Sequence, residues 1–567
     1  MTKDELLRVL EFVDTTQSLT VQDVALTAVD PRWNLICYAV RRHFEGKLIT
    51  STGLASASGV PYGTAMRRID ELIDEGLLLK RVRSKTGKSF SLHPTRSLLK
   101  EFEVFAGQLK SHVGRTFGFI SEDNSADDFY FGGSYGSSRV LGFPSVLEEG
   151  IGYNRTLRIL TPSDPTFKSL SDFSANLTEL CGGRLEIINL SLDELHDELI
   201  LNTERSESRY DIVAIDLPWI GELVKINSIA SLTPLLETDR YRHYDFHSAA
   251  WQASNYEGEQ YAIPIQPTAE LLLYRTDLFA KNYLSPPNNT VEIINCAKQL
   301  HKSERGLSGI VMNFGAGTPV GHTFMHALAD FGQPLIDLPS LDNDFGLNNL
   351  SGEHYRPRLD SEASYAAAEF LMELLDFSHP LSLDCNWDKR IRIFANGEAA
   401  MTYGWSIRAC VFKNNQQSPA FGNVEYLPHP PSPGSRIVSP IGGFSLGIPK
   451  NQSSERVDKA WSMIKYLTQP EMMKWYVLNG NLSSPRFSTS ADPEVRAFSP
   501  LIERVDLMEK KGQLQSWPRP AIPEFNAITQ ILGEEIHAML RKKTSISRAL
   551  QSSQSRVDQL MRANGYY

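Results

Sequence analysis

Apolar and polar positions in the middle of the chain alternate as they do in a parallel α/β sheet. Short apolar runs at 157–162, 184–190 and 210–216 predict buried strands, and the segments 167–180 and 193–202 between them have helical spacing. Strands that alternate with helices in this order are typical of a parallel sheet with right-handed crossovers. The carboxyl ends of such strands face a crevice, where open α/β sheets bind ligands.

A longer apolar stretch follows the third strand. The third strand ends in Asp216, and Trp219 comes three residues later, so both side chains are expected at the crevice. Residues 261–279 begin as a strand interrupted by Pro264 and Pro267 and continue as an uninterrupted apolar run. This stretch predicts a strand that crosses between two lobes.

The first 118 residues have a different pattern. Helical spacing at 4–14, 31–46 and 95–115 surrounds a helix-turn-helix rhythm at 48–74 and a basic hairpin at 79–92. In this helix-turn-helix pattern, Gly59 supplies the positive φ of the turn and Val60 fills the core between the helices. Pro61 is tolerated at the start of the second helix.

This pattern resembles the MarR-type winged helices over about residues 5–115. The resemblance implies that helix 61–74 lies in the major groove of DNA and that the hairpin contacts phosphate or the minor groove. The flanking helices imply a homodimer on a palindromic operator. The DNA-binding candidates are Tyr62, Thr64, Arg67, Arg68, Lys80, Arg83, Lys85 and Lys88.

The rest of the chain resembles the family 1 extracellular solute-binding proteins of sugar import systems. The resemblance is carried in order by 210–219, 261–279, 394–405, 427–450 and 459–486. It implies a type II periplasmic-binding-protein-like fold, with two α/β lobes that close on a ligand. The predicted fold is therefore multidomain, with an α+β winged helix-turn-helix head at 1–118, a Gly/Ser-rich linker at 119–154 and the two-lobed body at 155–567.

The same resemblance implies a carbohydrate site. Sugar rings present apolar C–H faces that stack on aromatic side chains, while their hydroxyls require donors and acceptors in fixed directions. Trp219, Tyr403 and Trp405 are the expected stacking residues. The complete set of ligand candidates adds polar side chains to these three: Asp216, Trp219, Gln266, Glu270, Asn313, Tyr403, Trp405 and Arg436.

Motifs of enzymes are weak in this chain. Residues 443–447 match G-x-S-x-G, but the Ile-Pro that follows continues a strand into a loop rather than starting the helix of a nucleophile elbow. His322 and His326 lie four residues apart without the glutamate of a zinc protease, so we interpret them as helix-packing residues. We predict no enzyme activity, no metal and no cofactor.

Composition and charge bear on location and partners. The five cysteines are scattered, no apolar run is long enough to span a membrane, and the first residues lack a secretory signal pattern, so a cytoplasmic location is expected. Residues 1–115 contain 17 basic and 13 acidic residues, whereas the remainder contains 40 basic and 54 acidic residues. The basic amino-terminal part and the acidic remainder suggest that only the amino-terminal part binds a polyanion.

These observations predict a one-component bacterial transcription regulator. The head would bind operator DNA, and the body would sense a small cytoplasmic solute, most simply a sugar or sugar derivative. An alternative remains open, in which the chain is a cytoplasmic or exported carbohydrate-binding protein related to transport. In that alternative the winged helix serves only for protein contacts.

Overall fold

The computed structural model describes residues 6–15, 30–117, 119–120, 129–130 and 155–567, except positions 8, 46, 83–89, 242, 342–343 and 414. Contacts divide the chain into two compact units, Met1–Phe131 and Gly132–Tyr567. Most of the predicted linker at 119–154 lies outside the described residues, as do Arg83, Lys85 and Lys88 of the predicted hairpin. Within the described part of the chain, no helix is long and apolar enough to cross a membrane.

The first unit is a small α+β structure around its own core. Its core includes Leu10, Leu35, Leu54, Ile69 and Leu92, all of them buried. Apart from a helical stretch within 6–15, its elements are α1 Pro31–Phe44, α2 Ser51–Ala57, α3 Tyr62–Asp74, β1 Leu78–Val82, β2 Phe90–Pro94, α4 Arg96–Phe117, β3 Phe119–Ile120 and β4 Phe129–Tyr130.

Local signals set the ends of these helices. The Thr50 side chain caps α2 by accepting from the backbone N–H of Gly53, and Pro61 is the N-cap residue of α3. Gly59 has a φ of +71°, as the turn between α2 and α3 requires. The strands β1 and β2 pair antiparallel, from Leu78 opposite Pro94 to Val82 opposite Phe90.

The second unit, called the body below, is an α/β structure. Its strands are β5 Leu157–Pro162, β6 Leu185–Leu190, β7 Ile212–Asp216, β8 Asn255–Tyr256, β9 Glu259–Gln260, β10 Ala262–Arg275, β11 Ser308–Val311, β12 Ser340–Leu341, β13 Asp344–Phe345, β14 Ala399–Trp405, β15 Val424–Leu427, β16 Ser439–Gly447 and β17 Leu514–Gln515. Its first helices are α5 Pro165–Asp172, α6 Ser174–Cys181, α7 Leu192–Thr203, α8 Ile220–Lys225, α9 Thr233–Thr238, α10 Ser248–Ala253, α11 Thr276–Lys281, α12 Thr290–Leu300, α13 Thr318–Asp330 and α14 Glu362–Asp376. The remaining helices are α15 Trp387–Ala395, α16 Cys410–Lys413, α17 Ser454–Leu467, α18 Pro470–Leu478, α19 Phe487–Ser490, α20 Pro493–Phe498, α21 Pro500–Lys510, α22 Phe525–Leu540 and α23 Ile546–Ala563.

The first lobe contains the predicted parallel strands. Strand β5 pairs parallel with β6 on one side and with β7 on the other, and β16 joins β7 antiparallel. The three strands agree with the apolar runs in the sequence. The single helix predicted at 167–180 is wrong in detail, because Phe173 ends α5 and a separate helix, α6, begins at Ser174.

The second lobe is built on β11, β14, β10 and β15. Strand β11 runs parallel to β14, and β10 lies between β14 and β15 in antiparallel register. Helices α12, α13, α14, α22 and α23 supply much of the apolar core that covers this sheet, together with Phe314, Phe324 and Met401. The sheet of this lobe is therefore mixed rather than wholly parallel.

The crossover strand β10 joins the lobes. All of its 14 residues are buried; Ala262–Ala269 pair with β16, and Glu270–Tyr274 pair with β14. The register shifts between Pro264 and Gln266, and Gly443, which pairs with the next residue, Pro267, has a φ of +99°. A Cβ atom on Gly443 would lie 1.8 Å from the Gln266 carbonyl oxygen, so glycine alone fits this irregularity.

Candidate functional site

A cavity of about 250 Å³ lies between the two lobes of the body, at the carboxyl ends of β5, β6 and β7. The first lobe and the crossover strands contribute Ser163, Asp164, Ser191, Asp216, Gln266, Thr268, Gly443 and Phe444 to its wall. The second lobe and the carboxyl-terminal segment contribute His322, Trp387, Asp388, Trp405, Arg408 and Arg519. This first cavity is where the topology of an open α/β sheet places a ligand.

Asp216 and Arg519 form one buried ion pair at the cavity. The Nη2 atom of Arg519 lies 3.1 Å from Oδ2 of Asp216, and both side chains are largely shielded from solvent. Burial raises the pKa of Asp216, and the Arg519 guanidinium opposes that rise. The same guanidinium lies 5.4 Å from the centre of the Trp405 ring. Arg519 therefore orients both an acidic and an aromatic wall residue.

A second charged group surrounds Asp164, in the loop after β5. Arg408 lies 2.8 Å from Oδ1 of Asp164 and 3.0 Å from Oδ1 of Asp388. The Nε2 atom of Gln266 donates to Oδ2 of Asp164 at 3.3 Å, while Oε1 of Gln266 is buried without a hydrogen-bond partner among the described residues. Burial raises the pKa of Asp164, against the effect of Arg408. These contacts hold the Asp164, Arg408 and Gln266 side chains in place, and the Gln266 carbonyl oxygen is left able to accept a hydrogen bond.

Aromatic side chains supply the apolar part of the wall. His322, on α13, stacks with Trp387 at the start of α15, with ring centres 6.2 Å apart and planes at 28°. Burial lowers the pKa of His322 well below its ordinary value, so this imidazole is neutral. Trp405 ends β14, and its ring meets the edge of His326 at 5.6 Å. The cavity therefore combines flat apolar surfaces with paired charges.

Three of the eight sequence-predicted ligand residues line this cavity, namely Asp216, Gln266 and Trp405. Trp219 does not, because it is buried in the core of the first lobe and packs against His196 at 4.9 Å. Arg436 is exposed outside the wall.

The other three predicted residues are also away from the wall. Asn313 is buried and donates to the carbonyl oxygen of Pro319 at 3.3 Å. Glu270 and Tyr403 belong to a buried polar network described next, outside the residues that line the cavity.

The buried network lies under Trp405. Glu270 contacts His326 and accepts from Arg390 at 2.9 Å. His429 lies 3.0 Å from Asp330, and the Tyr403 ring packs on the His429 ring at 4.6 Å. Burial alone would raise the pKa of Glu270, but His326 and Arg390 hold it well below its ordinary value. The network fixes α13, β14 and β10 relative to one another.

Several wall residues were absent from the sequence prediction. The interpretation of the two histidines as helix-packing residues suits His326, but His322 lines the cavity. Asp164 lies in the loop after β5, at a strand end that the sequence pattern predicted to face the crevice. Trp387 and Arg519 carry no local signal, because distant parts of the chain bring them to the cavity. No group of three potential metal ligands occurs among the described residues.

The residues that suggested an enzyme have structural roles. Ser445 lies inside β16, is fully buried, and its hydroxyl is 2.6 Å from the Ser254 hydroxyl. A nucleophile elbow would require a turn into a helix at this serine.

The predicted DNA-binding residues of the first unit that the structure describes lie near acidic groups or bear no charge. Arg67 and Arg68 both approach Glu71 on their own helix, at 3.7 and 2.8 Å, and Lys80 lies 3.4 Å from Asp70. Tyr62 and Thr64 are exposed at the start of α3. The acidic neighbours offset much of the positive charge of this face.

The fold and the cavity together define a two-lobed binding protein. Residues 173–497 match the model of a family described as bacterial extracellular solute-binding protein, and this chain belongs to that family. A probable amino-acid ABC transporter periplasmic-binding protein of Sinorhizobium fredii is 22% identical over 423 residues, which cover 72% of this chain and 90% of the relative. The mannitol-binding protein of Pseudomonas aeruginosa is 23% identical over 328 residues, 55% of this chain and 71% of the relative.

Solved structures support the fold. A solute-binding protein of an ABC transporter from Agrobacterium radiobacter, in complex with ribitol, has a TM-score of 0.65 at 24% identity, covering 72% of this chain and 99% of that one. Maltose-bound MalE3 of T. maritima has a TM-score of 0.62 at 22% identity, covering 71% of this chain and 99% of that one. The body is therefore a periplasmic-binding-protein-like fold with two α/β lobes.

These comparisons correct the prediction of function. The predicted DNA-binding transcription regulator is wrong, because the family is one of extracellular solute-binding proteins and its relatives are named as a periplasmic-binding protein of an ABC transporter and a mannitol-binding protein. The same relatives overturn the expected operator DNA, the homodimer and the cytoplasmic location, since the family is extracellular. The prediction that the protein is not an enzyme is confirmed, because solute-binding proteins bind without catalysis.

Proposed function

We propose that the body binds a small, neutral, polyhydroxylated solute in the first cavity, as the carbohydrate-binding component of a transport system. The observation that carries the proposal is the wall itself, where Trp387, Trp405 and Phe444 accompany two carboxylate–guanidinium pairs. Aromatic faces suit the C–H surfaces of a sugar or sugar alcohol, and planar charged groups suit its hydroxyls.

The charge of the wall favours a neutral ligand. Arg519 is already paired with Asp216, and Arg408 is paired with Asp164 and Asp388. An amino acid needs a free cation for its carboxylate and a free anion for its ammonium group, and neither arginine is free. Although one relative is named for amino acids, the relatives named for mannitol and found with ribitol and maltose fit this wall better.

The size of the cavity favours a small ligand. Its volume of about 250 Å³ is slightly below the range of roughly 300–1,000 Å³ typical of pockets for drug-sized molecules. A sugar alcohol or a single sugar ring fits this volume better than an oligosaccharide. In this proposal Trp405 stacks on the ligand, while Asp164, Asp216 and Gln266 accept from its hydroxyls.

Isothermal titration of the full chain with ribitol, D-mannitol and maltose tests the proposal. At least one polyol or sugar should bind, and Trp405→Ala should weaken that binding. Tyr283→Ala is the matched control, because the Tyr283 side chain is 97% exposed and lies outside the cavity wall. Unchanged affinity in a folded Trp405→Ala variant would remove the stacking role.

We also propose that residues 1–118 form a winged helix-turn-helix domain for protein contacts, that 119–154 is a linker, and that 155–567 is the ligand-binding domain. The order of α2, α3, β1 and β2 and the positive φ of Gly59 support this assignment. Limited proteolysis should cut first between residues 119 and 154. A photo-crosslinking residue at exposed Tyr62 should give protein adducts that the same residue at Tyr283 does not give, and their absence would contradict the contact role.

A further inference from the structure

A second cavity, of about 420 Å³, lies on the opposite face of the crossover strands from the first. Ile441 borders the second cavity, and a Cβ atom on its neighbour Gly442 would lie 2.9 Å from the Trp405 ring, in the wall of the first. Since adjacent residues of a strand point to opposite faces, β16 separates the two cavities. Arg519 is the one residue common to both walls.

Both lobes contribute to the wall of the second cavity. Trp251 and Tyr256 pack against the core of the first lobe, whereas Phe345 and Tyr355 belong to that of the second. Trp517, from the carboxyl-terminal segment, meets Phe345 edge to face at a centroid distance of 4.9 Å. Five aromatic side chains therefore surround one space.

The polar groups of this wall are mainly amides. Gln252, Asn255, Asn348, Asn349 and Gln515 provide donors and acceptors without net charge.

Two of the three charged groups of this wall are engaged. The Asp344 carboxylate accepts from the Phe345 backbone N–H at 2.8 Å and is further stabilised by the Gln515 and Trp517 side chains. The Arg519 guanidinium is paired with Asp216. Glu257 is the third charged residue and is exposed at this wall. The wall thus offers mainly flat apolar faces and uncharged hydrogen-bonding groups.

We propose that the second cavity is a separate binding site for a neutral carbohydrate of one or two rings. Aromatic faces accept the C–H surfaces of such rings, and amides match their hydroxyls. The volume of about 420 Å³ falls within the range of about 300–1,000 Å³ of small-molecule pockets. This site does not depend on the function proposed for the first cavity, because strand β16 lies between them.

Titration of the full chain with maltose and with D-mannitol tests the site. The wild type should show two binding events in total. Gln252→Trp places an indole at an exposed position of the second wall, fills the space, and should weaken one event at least tenfold while leaving the other unchanged. Gln551→Trp makes the same change on the exposed face of α23 and should alter neither event. Phe345→Ala should weaken the same event as Gln252→Trp by removing an aromatic face.

The outcomes for the two cavities can be told apart. If Trp405→Ala weakens binding but neither Gln252→Trp nor Phe345→Ala has an effect, the second site is refuted while the function of the first cavity stands. If the two second-wall variants weaken binding and Trp405→Ala does not, the second site stands and the function proposed for the first cavity fails. A single binding event with both probes, insensitive to Gln252→Trp, also refutes the second site.

Discussion

Gly443 offers a strict test of how the crossover strands are built. Its φ of +99° is unfavourable for other residues, and an added Cβ atom would lie 1.8 Å from the Gln266 carbonyl oxygen and 3.1 Å from the Cα of Pro267. These neighbours are backbone atoms, so rotation of a side chain cannot relieve the overlap. Gly443→Ala therefore requires β10 and β16 to move apart at the first cavity.

The size of the effect follows from two contributions. Overpacking a well-packed interior costs about 1–3 kcal/mol, and a left-handed backbone in a non-glycine residue adds about 1–2 kcal/mol. We expect Gly443→Ala to lower the free energy of unfolding of the body by roughly 2–5 kcal/mol. Gly434 is the matched control, with a φ of +87° and no heavy atom within 4 Å of an added Cβ atom. Gly434→Ala should cost only the backbone contribution.

Urea unfolding followed by tryptophan fluorescence measures both variants. Seven of the eight tryptophans lie in the body, so the signal reports mainly on that unit. Gly443→Ala should also weaken ligand binding, because Gly443 lines the first cavity. If the free energies of unfolding of the two variants lie within about 1 kcal/mol of one another, β10 and β16 are not in close contact at Gly443.

Three further predictions concern the cavity and the network beneath it. Trp405→Ala should raise the dissociation constant for a bound polyol about 30-fold, equivalent to roughly 2 kcal/mol, in a calorimetric titration; a change under about threefold would contradict stacking. Asp216→Ala leaves Arg519 buried without its partner and should lower the free energy of unfolding by about 3–5 kcal/mol, whereas stability equal to the wild type would show that the ion pair is not isolated from water. Burial alone would lower the pKa of His429, but Asp330 at 3.0 Å raises it above its ordinary value, so its stabilising effect is present below about pH 6.5 and is lost as the pH rises through the folded-state pKa. Burial raises the pKa of Asp330 to about 6, so the comparison starts above that value. The stability difference between wild type and His429→Gln should shrink from about pH 7 to pH 9, and a difference that grows with pH would reverse the assignment.

The sequence predicted the first lobe because its strands are short apolar runs buried on both faces. Runs such as 157–162 and 210–216 are short, are flanked by turn residues and are followed by helices. A buried parallel strand is the structure that best fits this pattern. The crossover of 262–275 was recognisable for the same reason. The split between α5 and α6 was not, since Phe173 continues the apolar spacing of a single helix.

The candidate site was harder to predict than the fold. Trp219 and Trp405 both stand at or just after the end of a strand, and their local sequences do not distinguish them, yet one packs in the core and the other lines the cavity. Glu270 lies on a strand buried on both faces, where alternation of polar and apolar residues gives no sign of direction. Arg519 reaches the cavity only through tertiary folding.

The error in function has a different cause. The DNA-binding prediction for the first unit rests on resemblance to a family, although one fold serves many functions. The structure pairs Arg67 and Arg68 with Glu71, which a count of basic residues does not reveal.

Calorimetric titration of the full chain with ribitol, D-mannitol and maltose, with glutamate as an ionic comparison, tests whether the first cavity binds a neutral polyhydroxylated solute. A neutral polyol or sugar should bind, and ligand at about 100 times its dissociation constant should add roughly 2.7 kcal/mol to the stability of the body. Glutamate should not bind. Binding of glutamate without any of the neutral compounds would contradict the assignment of the first cavity to a neutral polyhydroxylated solute.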